Sequence, residues 1–338
     1  MSEQALPLQS AWRYVCTCFQ ARMHRFPSQV IRLLAITVVG AAGALTTSEL
    51  IATPLGQVAS DQESRNEAIN SIPFDQLTEQ TQAKLWNVVS QPSIYRQLPV
   101  TVVESDPDMH VFLVRYPEVI VNMWQLMGVT KVQMQRNGDY TFQASDGAGT
   151  FCDVQLVYGD QNTHVYYAEG HYEGPLLRKL IRGNCVMVLK SEYSQTEDKK
   201  VYVTNRLDMF VQLDSLGAEI LAKTLHPLVG KSADHNFTES TRFLSQVSQA
   251  AETRSDGLQQ LAGRLNNVSE PVRDRFAQLA TEVNHRAVLR EAGQEFFTEH
   301  VSATPIVAIP VVTTAPLLRG ASQLLESAPS RKPLRLRR

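Results

Sequence analysis

The sequence lacks the short motifs that mark the common classes of enzyme. It contains no G-x-S-x-G nucleophile motif, no P-loop, no G-x-G-x-x-G dinucleotide motif and no H-E-x-x-H zinc motif. Gly147-Ala148-Gly149 is predicted to be a turn, because no helix follows it that would hold a phosphate. These absences predict no cofactor and favour a function other than catalysis. They do not exclude an enzyme.

Cysteine and net charge are also low. The four cysteines, Cys16, Cys18, Cys152 and Cys185, form no C-x-x-C pair and have no zinc-type spacing with histidine. The sequence therefore predicts neither a structural metal site nor a disulfide-dense scaffold. The formal net charge is only −2 over 338 residues, so no nucleic-acid partner is predicted.

An apolar run lies near the N-terminus. Arg32–Leu45 carries no charge after its first residue and ends in small residues that include Ala42-Gly43-Ala44, and basic residues precede it. This order predicts that residues 1–45 are a signal peptide and that the protein is exported or lies in the cell envelope. The alternative is an N-terminal membrane segment that is not cleaved, although the uncharged span from Leu33 to Ser48 is shorter than the about 20 residues of a typical spanning helix.

The start of the chain and the state of its cysteines depend on this segment. A chain that began at Met23 would have a signal peptide of ordinary proportions, so the true start is either Met1 or Met23. Cleavage would leave Cys152 and Cys185. In an oxidising compartment these two either form a disulfide or remain two buried thiols.

Hydrophobic periodicity predicts an α+β domain over residues 73–253, preceded by a polar linker over residues 46–72. A helix follows Pro73, with Leu85 and Val89 at helical spacing. Two further helices are predicted between Met109 and Gly128, because Pro117 interrupts the apolar run and cannot lie inside one continuous helix.

From Val129 the hydrophobic period changes to two, which indicates β-strands. Turn sequences such as Asn137-Gly138-Asp139 separate them. The predicted strands are Val129–Gln135, Tyr140–Ala144, Thr150–Tyr158, His164–Tyr172, Lys179–Tyr193 and Lys200–Leu213. Consecutive strands with short turns indicate an antiparallel β-meander of about six strands packed against flanking helices.

Helical periodicity returns after the strands. The predicted helices are Leu216–Leu225 and Phe237–Ala251, followed by Leu258–Leu265 and Val272–Leu289 in a helical extension over residues 254–300. Residues 301–338 are predicted to be an apolar arm, broken by three prolines, and a basic tail, RKPLRLRR. The tail is expected to be a solvated end, with contact to an anionic membrane surface as the alternative.

One stretch, His164–Gly174, suggests catalytic chemistry. Alternation along a strand places Glu169, His171 and Glu173 on the same side. Carboxylate and imidazole suit zinc or iron, and a His–Glu pair suits acid–base catalysis, so one hypothesis is a metal-assisted hydrolase. The alternative is the solvated side of a sheet, because Gly170 and Gly174 favour bulges that interrupt the alternation.

Aromatic residues and methionine are frequent on the predicted strands. Tyr166, Tyr172 and Met187 would line an apolar cavity if the sheet curved around the helix Phe237–Ala251. An ordinary packed core is the alternative. The sequence therefore predicts an envelope protein that binds an apolar ligand such as a lipid, or a partner protein, without catalysis. A structural envelope protein is the other hypothesis.

The order of the predicted elements over residues 74–253 resembles the helix-grip arrangement of START-like lipid-binding proteins. The resemblance rests on helices, an antiparallel meander and then the amphipathic helix Phe237–Ala251. It includes no residue motif, so no site residues carry over from that family. The family inserts helices between its early strands, whereas six unbroken strands are predicted here. The sequence also resembles uncharacterised exported bacterial proteins.

Overall fold

The structure, a computed structural model, describes residues 55–174, 177–214, 226–293 and 306–307. Within these ranges the chain belongs to one compact unit. Among the described residues, no helix is both long enough and apolar enough to cross a membrane. The predicted signal peptide, the helix Leu216–Leu225 and the basic tail lie outside the described residues.

The described residues form six α-helices and nine strands. The helices are α1 (Leu55–Asn70), α2 (Glu79–Ser90), α3 (Pro107–Arg115), α4 (Pro117–Leu126), α5 (His226–Ala262) and α6 (Glu270–Glu291). The strands are β1 (Ile94–Gln97), β2 (Thr101–Glu104), β3 (Gln133–Gly138), β4 (Thr141–Ser145), β5 (Thr150–Gly159), β6 (Thr163–Gly174), β7 (Leu177–Gln195), β8 (Val201–Leu213) and β9 (Ile306–Val307).

The α+β class and the six-strand meander are confirmed. Strands β3 to β8 pair in chain order, and each pair is antiparallel. The division of the apolar run into two helices is also confirmed, since Pro117 begins α4 directly after α3 ends. Gly128, which follows α4, has a φ of 69°, a conformation that suits glycine at a helix end.

Two short strands that the sequence did not predict extend the sheet beyond β8. Strands β1 and β2 are separated by Leu98-Pro99-Val100, and both pair antiparallel with β8, the last strand of the meander. Helices α3 and α4 therefore lie between the second and third strands of the chain. They precede the six consecutive strands β3 to β8.

The sheet has two sides, which we name by the helices that cover them. The inner side, which carries Tyr166, Met187 and Leu207, is covered by α3, α4 and α5. The outer side, which carries Val186 and Phe210, is partly covered by α1 and α2.

A β-bulge changes the side on which one predicted core residue lies. Regular alternation along the predicted strand Thr150–Tyr158 would place Tyr158 on the same side as Leu156. The register shifts between these two residues, so that Tyr158 lies opposite Val165 and packs in the outer core. An extra residue in one strand reverses the side of each residue that follows it.

The predicted helical extension shares a core with α3 and α4. Helix α5 has a kink at Arg254, where φ is −148°, at the boundary between the domain and the extension that the sequence predicted. Beyond the kink, Leu258 of α5 and Phe276 of α6 are buried together with residues of α3 and α4. Rings of Phe112 and Phe276 stack with 5.9 Å between their centroids.

Helix α1 occupies most of the segment that was predicted to be a linker. Its sequence has no clear apolar stripe, so periodicity gave no helical signal. Tertiary contacts stabilise it instead: Ala68 is fully buried, and Nη2 of Arg65 donates hydrogen bonds to the carbonyls of Val89 and Ser90 at the end of α2. The arginine thus satisfies carbonyls that a helix leaves unpaired at its C-terminus.

Candidate functional site

The predicted acidic and histidine triplet lies on the outer side of β6. Glu169 and His171 are exposed. Glu169 accepts a hydrogen bond of 2.9 Å from the hydroxyl of Tyr167 and lies 3.6 Å from Nζ of Lys84. His171 stacks on Phe151. Glu173 is exposed and falls at a register shift between Tyr172 and Gly174.

These side chains adjoin an open groove of about 1410 Å³ along β3 and the neighbouring ends of β4 to β6. Glu169, His171 and Asp153 line it. Within the described ranges, no group of three His, Cys, Asp or Glu residues is placed to hold a metal ion. The groove therefore offers polar contacts to solvent rather than a ligand set for a metal.

The three predicted ligand-binding residues lie on the inner side. Tyr172 is buried, whereas Tyr166 and Met187 each retain accessible surface. Tyr166 pairs directly with Met187 across β6 and β7. Its hydroxyl donates a hydrogen bond to the carbonyl of Val114 in α3, which fixes the ring beneath that helix.

The two sides of the central strands differ in how tightly they are packed. On the outer side, Val165, Val186, Val188 and Phe210 are all 0 % exposed. On the inner side, Ala168 and Met209 are also buried, at 5 % and 7 % exposure. The other inner-side residues of these strands are only partly buried: Tyr166, Cys185, Met187, Leu189 and Leu207. Apolar side chains at the centre of a covered sheet are normally closely packed. These five residues keep accessible surface on the side that faces the helices, and we call the region between the helices and the sheet there the inner space.

A cluster of buried polar residues adjoins the inner space. His110 of α3 is 1 % exposed, and its Nε2 lies 3.1 Å from Oγ of Ser191 in β7. Ser191 in turn donates a hydrogen bond of 3.0 Å to Oδ1 of Asn205 in β8. Ser191 and Asn205 are direct partners in the sheet, two residues from the pair Leu189 and Leu207.

A second histidine belongs to the same cluster. His164 of β6 is 1 % exposed and lies opposite Leu189. Its Nε2 accepts a hydrogen bond of 3.2 Å from Nε of Arg115. Arg115 also donates to the carbonyls of Gly159 and Asp160. Helix α3 therefore places His110 over β7 and Arg115 over β6.

Both histidines are neutral at physiological pH. Burial lowers the pKa of His110 to about 4. Burial also lowers the pKa of His164 to about 3, and the nearby Arg115 and His110 lower it further. A neutral imidazole carries one donor and one acceptor nitrogen, so each ring can both donate and accept a hydrogen bond.

The two cysteines are free thiols in the structure. Cys152 of β5 lies opposite Gly170, and Cys185 of β7 lies opposite Ala168, so β6 runs between them. Two strand spacings amount to about 9–10 Å, whereas a disulfide needs Cα atoms within about 7 Å. This separation favours the pair of thiols over the disulfide.

We expect these thiols to react slowly in the folded protein. Burial raises the pKa of each to about 12, so about one molecule in ten thousand carries the reactive thiolate at pH 8. In a variant with Cys16→Ser and Cys18→Ser, dithionitrobenzoate should modify both thiols within minutes in guanidinium but neither in buffer. Rapid labelling in buffer, or fewer than two thiols in guanidinium, would contradict this prediction.

Sequence reasoning missed the buried polar cluster. The available signal was a polar residue at an inward position of an otherwise apolar strand side. Asn205 stands between Val203 and Leu207 in that alternation, and Ser191 stands between Leu189 and Tyr193. His110 gave no such signal, because it lies inside a densely apolar helix.

Comparison with known proteins adds no family. No protein family matches the chain, and no curated protein is similar to it in sequence. A hypothetical protein from Helicobacter pylori is 12% identical, with a TM-score of 0.31 over 61% of this chain and 99% of that one. Dicamba monooxygenase, solved with non-heme iron and dicamba, is 12% identical, with a TM-score of 0.27 over 62% of this chain and 61% of that one. At such scores the likeness is weak and carries no argument about activity.

Proposed function

We propose that this protein binds an apolar small molecule, without catalysis, in the inner space between the sheet and helices α3 and α5. The observation that carries the proposal is the contrast across the central strands. Met187 and Leu189 retain accessible surface under helices, whereas Val186 and Val188, which alternate with them, have none. Ligand pockets are typically apolar concavities with a few fixed polar groups, and the buried histidines supply such groups here.

The order of elements supports this proposal, since helices α3 and α4 separate the first two strands from the meander and the long helix α5 follows it. We further propose a relation to START-like lipid-binding proteins, whose helix-grip arrangement has a similar order. A lipid would be one suitable ligand. Export to the cell envelope is a further proposal, which rests on the N-terminal sequence alone. A membrane contact through the C-terminal basic tail is proposed on the same sequence grounds.

Binding can be tested with a neutral fluorescent probe, N-phenyl-1-naphthylamine, and the full-length chain. We expect its fluorescence to rise on binding to the wild-type protein. Met187→Trp should weaken binding at least tenfold, about 1.4 kcal/mol, because the larger ring occupies the inner space.

Phe151→Trp is the matched control. Phe151 is 48 % exposed on the outer side of β5, so this variant should bind the probe as the wild type does. Cooperative thermal unfolding of both variants would show that each is folded. Absence of probe binding by the wild-type protein, or equal binding by Met187→Trp and the control, would refute the proposal.

A further inference from the structure

The two buried histidines each leave one ring nitrogen unpaired. Among the described residues, no group forms a hydrogen bond with Nδ1 of His110 or with Nδ1 of His164. An unpaired polar atom inside a protein costs about 1–3 kcal/mol, so two of them in one cluster require an explanation.

The hydrogen-bond partners determine the tautomer of each ring. The guanidinium of Arg115 can only donate, so Nε2 of His164 accepts and its proton lies on Nδ1. Ser191 gives its proton to Asn205, and Nδ2 of Asn205 points to the carbonyl of Val203. Nε2 of His110 therefore donates to Ser191, which leaves Nδ1 of His110 as an acceptor.

The unpaired nitrogens are thus opposite in character: one is a donor on His164 and the other is an acceptor on His110. A carboxylate would accept from His164 but repel the lone pair of His110. An ammonium group would donate to His110 but repel the N–H of His164. A hydroxyl suits both, because it donates one hydrogen bond and accepts others.

We propose that the ligand of the inner space is an uncharged amphiphile whose hydroxyl donates to Nδ1 of His110 and accepts from Nδ1 of His164. This inference rests on the proposed function, because the apolar part of the ligand would lie against Leu189 and Met187. The position of the cluster supports it: His164 is the direct sheet partner of Leu189. Both rings are neutral at pH 7, which favours an uncharged head group.

Three competing ligands of similar size distinguish the hydrogen bond to Nδ1 of His110 from the hydrogen bond to Nδ1 of His164. 1-Decanol offers a donor and an acceptor, its isomer methyl nonyl ether offers only an acceptor, and undecane offers neither. Each is titrated against the bound naphthylamine probe. The ratio of the ether and alcohol dissociation constants reports the bond to His110, and the ratio of the undecane and ether constants reports the bond to His164.

Glutamine variants remove one unpaired nitrogen at a time. In His110→Gln the amide can still donate to Ser191, and in His164→Gln it can still accept from Arg115, but neither variant has a group in place of Nδ1. We expect His110→Gln to lower the ether-to-alcohol ratio about fivefold, and His164→Gln to lower the undecane-to-ether ratio about fivefold. His171→Gln, on the exposed outer side, should change neither ratio.

The possible results separate this inference from the proposed function. Failure of the wild type to bind the probe would overturn both. Probe binding with ratios that the two glutamine variants leave unchanged would overturn the hydroxyl assignment alone, and an ordered water between the rings would give that result. If a variant does not fold, two-bond nitrogen–proton spectra of the wild type replace it: decanol, and not undecane, should shift Nδ1 of both histidines, and unshifted signals with bound decanol would overturn the inference.

Discussion

Replacing Arg136 with methionine is expected to lower the free energy of unfolding by about 3–5 kcal/mol, because it leaves the buried carboxylate of Glu118 without its cationic partner. The side chain of Glu118 in α4 is 1 % exposed, and its carboxylate lies 2.6 Å from Nε of Arg136 in β3. The pair joins α4 to β3, the strand at the edge of the sheet. Breaking a buried pair from one side costs more than the pair contributes, since the remaining charge keeps its full desolvation penalty.

The surroundings of Arg136 add to this expectation. Its guanidinium lies 4.4 Å from the ring centre of Phe142 and 4.7 Å from that of Tyr116. It also donates a hydrogen bond of 3.0 Å to the carbonyl of Arg115. Methionine preserves much of the apolar stem of arginine, so the measured loss would report mainly the charge and the hydrogen bonds.

Urea denaturation at pH 7 measures the change in the free energy of unfolding, and two further variants serve as comparisons. Arg275→Met breaks an ion pair with Glu282 on the surface of α6, where both side chains are more than a third exposed, and should cost at most about 1 kcal/mol. The double variant Glu118→Met/Arg136→Met should recover most of the loss, because no charge is left buried. A cost for Arg136→Met no larger than that for Arg275→Met would contradict the assignment of a buried pair.

The parts of the fold that sequence predicted well are those in which local chemistry agrees with tertiary structure. Pro117 divides α3 from α4 because a proline ring cannot lie inside a helix, and Gly128 ends α4 in a backbone conformation that favours glycine. The turn sequence Asn137-Gly138-Asp139 lies at the β3–β4 hairpin, where Asn137 and Gly138 end β3 and Asp139 begins the turn.

The parts that sequence missed depend on partners far along the chain. Strands β1 and β2 have only four residues each, and they exist because β8, about a hundred residues later, supplies their hydrogen bonds. The bulge between Leu156 and Tyr158 leaves no trace in the alternation of apolar residues, because both sides of β5 are buried there. The candidate site was missed for the same reason. Its residues come from α3, β6, β7 and β8, and only the folding of these elements against one another brings them together.

The buried histidines should make stability fall as the pH is lowered below about 6.5. In the unfolded chain each imidazole takes up a proton with a pKa near 6.5, whereas the folded values are about 4 for His110 and about 3 for His164. Between these values the unfolded state binds more protons than the folded state, so acid favours unfolding. The stabilising contribution of neutral burial is therefore complete above about pH 6.5 and is lost as the pH falls toward the folded values.

Other ionisable groups also contribute to the dependence of unfolding free energy on pH, so the contribution of one histidine has to be isolated. Burial raises the pKa of Asp208 and of Asp108, and these carboxyls contribute in the opposite direction because the folded state takes up their protons more readily. Among the described residues, Arg115 hydrogen-bonds to His164, and the ring of Tyr193 packs edge-on against that of His110. Subtracting the curve of His164→Gln from that of the wild type removes the contributions that the two proteins share.

The difference between the wild type and His164→Gln should shift by about 2 kcal/mol between pH 7 and pH 5, with the wild type losing more stability. This value follows from one proton taken up on unfolding below about pH 6.5, at about 1.4 kcal/mol for each unit of pH. Urea denaturation at half-unit steps of pH measures it, and His171→Gln, which removes an exposed histidine, should run parallel to the wild type. Parallel curves for His164→Gln as well would mean that the folded protein protonates His164 as readily as the unfolded chain does, and both the buried cluster and the neutral head group inferred from it would then be wrong.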